Sequence, residues 1–183
     1  MLCMETPTRQ KLIDSYLALG EEYGFDTVSL GTLSKEVGIT KSTIFSHFAG
    51  SEDLHNAAIN YCTQTISNTS INVDFSANDL QTLFVRLINR LVDVFTSFPQ
   101  RSYLSYLDQK QLTDTNAQIL SNQLNSMIRA RILVALDYAV QRSWITINDT
   151  DATADILTPY FRRGLTNTDE SYWDSLLDFL KNL

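Results

Sequence analysis

Glu52-Asp53-Leu54-His55 contains Glu-x-x-His, the spacing that presents two metal ligands on one face of a bundle helix. A dinuclear site needs a second such pair, and the chain holds only one other histidine, His47. Glu52 therefore reads as an acid favoured at the positive end of a helix, and His55 as a surface residue. Cys3 and Cys62 are too few for a disulfide framework, so a reducing, cytoplasmic setting is expected. With no Ser-His-Asp combination, glycine-rich phosphate loop or Cys-x-x-Cys pair, the chemistry on offer is binding rather than catalysis, and neither cofactor nor metal is expected. Arg131 lies on an otherwise apolar stripe with Leu124 and Met127, where it either meets an acidic ligand or carries its charge to the edge. Phe95, Tyr103, Tyr106, Tyr138 and Trp144 either line an aromatic pocket or form plain core.

The elements that must hold these residues read as helices. Of 183 residues 44% are hydrophobic and 19% charged, while three Pro and six Gly leave too little punctuation for a many-stranded β protein. The longest apolar run, Ile132 to Leu136, is far short of the roughly 20 residues of a membrane span. Thr6 and Pro7 open a helix that Gly24 closes. Ser29 caps a short helix over Leu30 to Val37, Gly38 stops it, and Thr40 caps another over about Lys41 to Phe48. Two short helices across a glycine-containing turn are the helix-turn-helix spacing, in which the second helix can enter the DNA major groove. A fourth helix begins near Ser51 and ends by Asn68, before a polar loop to Asn78. Further helices are expected from Leu80 to before Pro99, over Arg101 to Leu112, and over Asp114 to about Ser143, the last surrounded by neighbours at Ile132 to Leu136. Asp151 to Leu165 and Asp169 to Asn182 complete an antiparallel hairpin.

Gly24-Phe25-Asp26-Thr27-Val28-Ser29, then Leu33-Ser34-Lys35-Glu36-Val37-Gly38-Ile39-Thr40, then Lys41-Ser42-Thr43-Ile44-Phe45-Ser46-His47-Phe48, closed by Glu52-Asp53-Leu54, resembles the DNA-binding head of the TetR family of bacterial transcriptional regulators. The remainder resembles that family in architecture alone. The resemblance implies an all-α chain: a three-helix helix-turn-helix DNA-binding domain over residues 1–50, then a helical-bundle ligand-binding and dimerisation domain over 51–183. It further implies a homodimer that binds a palindromic double-stranded operator, acts as a repressor and answers an unidentified small-molecule effector.

Carried over position by position, the resemblance puts Thr40, Lys41, Ser42 and Thr43 at bases and phosphates, and His47 and Arg9 at the DNA backbone. The chemistry suits them, since Lys41 can donate to guanine O6 or N7 and the hydroxyls can donate or accept. Spacing alone would leave Lys41, Thr43 and His47 as solvated helix residues. Phe45 is open between packing among the short helices and touching DNA. Phe84, Ile88, Phe95, Tyr103, Tyr106, Met127 and Arg131 are the candidate effector pocket. Ile156, Tyr160, Trp173, Leu177 and Leu180 are the candidate dimer interface, because a hairpin apolar on more than its inner face must be covered.

The sequence departs from the family pattern where Phe45 replaces a usual Tyr, Ser42 a common Gly and Ser51 a common Lys, so two phosphate contacts are missing. Residues 1–61 hold four basic and eight acidic side chains, and the whole chain is at −7. An acidic head predicts weak non-specific DNA binding and a shallow salt dependence. The same features fit a second reading, a helical sensor that has lost DNA binding and acts through protein contacts.

Overall fold

Capping side chains and apolar stripes divide the chain into helices. In the computed structural model, which describes residues 7–68, 71–97, 101–167, 169 and 171–181, every regular element is helical: α1 (Pro7–Tyr23), a single 3₁₀ turn (Phe25–Thr27), α2 (Leu30–Val37), α3 (Lys41–Phe45), α4 (Ser51–Asn68), α5 (Leu80–Ser97), α6 (Arg101–Lys110), α7 (Thr115–Gln141), α8 (Thr150–Thr166) and α9 (Ser171–Leu180). Asp79, Asp114 and Asp149 start α5, α7 and α8 by accepting hydrogen bonds from Thr82, Ala117 and Ala152 backbone N–H groups. Cys3 and the expected cap Thr6 lie outside the described residues.

The chain divides into two compact units, one of residues 1–67 and 99–120, the other of 68–98 and 121–183. In the first, α1 packs on α2, on the 3₁₀ turn and on α6, and buries Leu12, Ile13 and Leu17 completely. Leu33 of α2, Ile44 of α3, Phe48 and Leu54 are buried with them. Polar ties reinforce this small core. The Tyr16 hydroxyl lies 3.1 Å from His55 Nδ1, and His55 Nε2 lies 3.2 Å from Asp114 Oδ2. His55 is thus half-buried rather than the surface residue expected, and both ring nitrogens have hydrogen-bond partners, so Glu52-x-x-His55 is not laid out to ligate a metal.

The second unit is held chiefly by apolar stripes. Leu83, Phe84, Leu87, Ile88, Leu91 and Phe95 of α5 are buried at helical spacing, and α8 and α9 pack on that helix and on each other. The Phe161 ring sits 6.2 Å from Phe84 and 5.8 Å from Trp173. Gly164 is required here, since a Cβ would fall 2.5 Å from the Trp173 ring. Arg129 joins α7 to the start of α8 through Asp151 and Asp155. The centre of α7 is not enclosed on every side as expected: Ile132, Ala135 and Leu136 are buried, but Val134 is exposed.

Candidate nucleic-acid interface

Local sequence chemistry sets the turn between α2 and α3. Ser29 accepts from the Thr32 N–H to open α2, and Gly38 closes it at φ 73°, donating its N–H to the Ser34 carbonyl. That left-handed backbone suits glycine, and it reverses the chain within Gly38-Ile39-Thr40. The Ser34 hydroxyl donates to the Ile39 carbonyl at 2.6 Å, fixing the turn from inside. Thr40 then accepts from the Thr43 N–H and opens α3.

The second helix is shorter than the sequence suggests. It ends at Phe45 rather than near Phe48, because the chain tightens there: the His47 N–H donates to the Ile44 carbonyl three residues back, and the Ser46 hydroxyl to the Thr43 carbonyl. Phe48 then turns fully inward, with the Arg9 guanidinium 4.8 Å above its ring. Arg9, half-buried, is thereby held against Phe48 by a cation–π contact.

The structure brings six of the seven candidate DNA residues onto one short stretch. Thr40, Lys41, Ser42 and Phe45 are exposed, Thr43 and His47 are half-buried, and Ile44 is buried beneath them. Thr40, Thr43 and Ser46 have their hydroxyls engaged within the helix and its cap, so Lys41, Ser42 and Phe45 make the outward chemistry. Lys41 lies along α2 at Gly31, where an added Cβ would stand 3.2 Å from Lys41 Cε. Phe45 is 54% exposed, which settles its packing: it is not a wedge between the short helices.

A second set of ties holds α6 to the turn after α1. The Tyr106 hydroxyl donates to Asp26 Oδ1 at 2.9 Å, and the Lys110 ammonium lies 3.1 Å from the same atom. These donors hold the Asp26 carboxyl below the usual carboxylate range, while burial and the Asp26 charge push the Tyr106 phenol up. Burial raises the Tyr16 phenol to about 12, so it remains a hydroxyl beside His55. Cys62 is also raised to about 12 by burial, which removes it as a nucleophile.

The other candidate residues separate between the units. Tyr106 belongs to the first unit, packed 5.0 Å from Phe25, whereas Phe84, Ile88, Phe95, Met127 and Arg131 belong to the second. The Tyr103 side chain lies outside the described residues. Phe84, Ile88 and Phe95 are buried, and Met127 and Arg131 half-buried. Tyr138 and Trp144 pack edge-on, and the Phe75 ring lies 5.4 Å from Tyr138. On the hairpin, Ile156 and Tyr160 are 61% and 52% exposed, Leu177 is half-buried, Leu180 is buried within its own chain, and Trp173 is seated on Gly164 and Phe161. Phe179, not singled out from the sequence, is exposed beside Tyr160 and Tyr172 in a groove of about 390 Å³ between α8 and α9. Its i+3 spacing from Leu176 was the available signal.

A capped, exposed second helix after a glycine turn, followed by further helices, is a helix-turn-helix arrangement. Residues 12–58 match the bacterial regulatory proteins of the tetR family. The head thus carries the sequence signature of that family, and the chain shares the fold of solved regulators of this type. A transcriptional regulator of Saccharomonospora viridis, solved in complex with choline, superposes with a TM-score of 0.72 at 16% identity, over 97% of this chain and 95% of that one. A TetR transcription regulator from Haloarcula marismortui gives 0.70 at 12% identity over 95% and 94%, and Salmonella enterica GusR 0.63 at 18% over 100% and 97%. At these identities the likeness is one of fold. A comparison with curated protein sequences yields no match. No helix among the described residues is long and apolar enough to cross a membrane.

Proposed function

We propose that the chain is a transcriptional repressor that binds a palindromic operator as a homodimer and is retuned by a small-molecule effector. The observation that carries this reading is the outward face of α3, where Lys41, Ser42 and Phe45 project from a helix capped at Thr40. Two such helices related by a two-fold axis read half-sites about one helical turn apart. Exposed Ile156, Tyr160 and Phe179 supply apolar surface that a second copy of the hairpin would cover.

For the effector, Phe84, Ile88, Phe95, Met127 and Arg131 remain the proposed lining. Arg131 Nε is buried and has no hydrogen-bond partner among the described residues, which favours an effector carrying an acceptor or a negative charge. Such a ligand acts by preferring one of two populations, and a differential affinity of about 1 to 3 kcal/mol suffices.

Selection of bound fragments from a random DNA library, followed by gel shift with wild type and Lys41→Ala, tests the reading. A palindromic site that the variant no longer holds is expected. Failure to enrich any site at low salt would overturn it in favour of a sensor acting through protein contacts.

A further inference from the structure

We propose that Phe45 reads the 5-methyl group of thymine, about two base pairs from the base that Lys41 contacts. The inference rests on the DNA-binding reading and goes beyond it, assigning a specificity to a residue that family resemblance leaves without its usual hydroxyl.

Phe45 is 54% exposed at the end of α3, and Ile44 beside it is fully buried, so the helix turns the Phe45 ring outward. Lys41 stands four residues earlier on the same helical face and is also exposed. Four residues of helix rise roughly 6 Å, close to two base steps of about 3.4 Å each. With α3 along the major groove, the two side chains reach bases on either side of one intervening pair.

The chemistry selects the base. Phosphate oxygens accept hydrogen bonds, and a phenyl ring has none to donate. Among the groups that base pairs display in the major groove, the thymine methyl is the apolar one, and apolar side chains contact it there. Ser42 and Ser46, the neighbouring exposed side chains, are polar, with the Ser46 hydroxyl engaged on the Thr43 carbonyl. Phe45 is therefore the side chain of this face whose burial gains from removing apolar surface from water. It turns a position normally given to backbone anchoring into one that discriminates between sequences, which suits a head with few cations.

The test uses the full chain and its selected operator. Each thymine of a half-site is replaced in turn by deoxyuridine, which removes the methyl and keeps the pairing, and affinity is measured by gel shift for wild type, Phe45→Ala and Phe45→Leu. At one thymine per half-site, wild type should bind about fourfold more weakly without the methyl, and roughly fifteenfold when both half-sites are changed. Phe45→Ala should bind the thymine and uracil operators equally, and Phe45→Leu should keep part of the difference. Circular dichroism melting confirms that the variants are folded, as expected for an exposed position. No thymine whose methyl matters to wild type, or equal sensitivity in Phe45→Ala, would overturn the assignment while leaving DNA binding intact. If no operator is bound, the broader reading falls and this assignment with it.

Discussion

The two compact units are stabilised differently. The head is small and ties its short helices with side-chain polar groups: Ser29 and Thr40 at helix starts, Ser34 across the turn, His55 between Tyr16 and Asp114, and Asp26 beneath Tyr106 and Lys110. The body relies on stacked apolar rings and aliphatic stripes, with the Arg129 ion pairs to Asp151 and Asp155 at its surface. Three short elements present too little apolar surface to fix their own geometry, so directional bonds must specify it. Long helices with wide apolar faces can be fixed by burial alone.

The contrast breaks most readily in the body. Phe161→Ala removes a fully buried ring between Phe84 and Trp173 and should cost about 3 to 5 kcal/mol in urea unfolding. Hydrogen exchange should quicken most in α5, α8 and α9. A loss below about 1 kcal/mol would show that the ring contacts carry little of that unit's stability.

In the head the informative change preserves shape and deletes polarity. His55→Phe keeps an aromatic ring facing Tyr16 and Tyr106, whose centroids lie 6.4 Å and 6.0 Å away, but leaves the Tyr16 hydroxyl and Asp114 Oδ2 without their imidazole partner. It should destabilise by about 1 to 3 kcal/mol, the usual cost of leaving buried polar groups unpaired. A variant as stable as wild type would mean that apolar packing governs the head as well.

This difference explains what could be read from the sequence. Ser29, Gly38 and Thr40 are local signals whose effect is complete within four residues, so the bounds of α2, the turn and the start of α3 follow from residue types alone. The end of α3 did not follow, because Phe48 continues the helical apolar spacing while the chain tightens at Ser46. His55 was misread as surface for a different reason: its partners are 39 and 59 residues away in sequence, and no local pattern announces Tyr16 or Asp114. Tyr106 was grouped with body aromatics by type, whereas Asp26, 80 residues earlier, claims it for the head. In the hairpin, Trp173 and Leu180 were assigned to the dimer interface because periodicity marks a residue as apolar without saying which side it faces, whereas Leu180 is buried within its own chain. The close approach at Gly164 decides that for Trp173.

The smallest effect lies at Asp26, and its sign separates the two kinds of tie. The Tyr106 hydroxyl bond, followed by Lys110, depresses the folded-state pKa of this carboxyl below the unfolded value of about 4. Its contribution is therefore complete above pH 4 and fades as pH falls through the folded-state pKa. Because the Asp26 side chain is 69% exposed, solvent screening limits that contribution to less than about 1 kcal/mol. Asp26→Asn should thus lower the urea midpoint slightly at pH 7 and by a diminishing amount at progressively lower pH. The Lys110 part should shrink in 1 M salt, whereas the Tyr106 hydrogen bond should persist and be removed by Tyr106→Phe. A gap between wild type and Asp26→Asn that widens on acidification would reverse the sign and show that the carboxylate burdens the folded head.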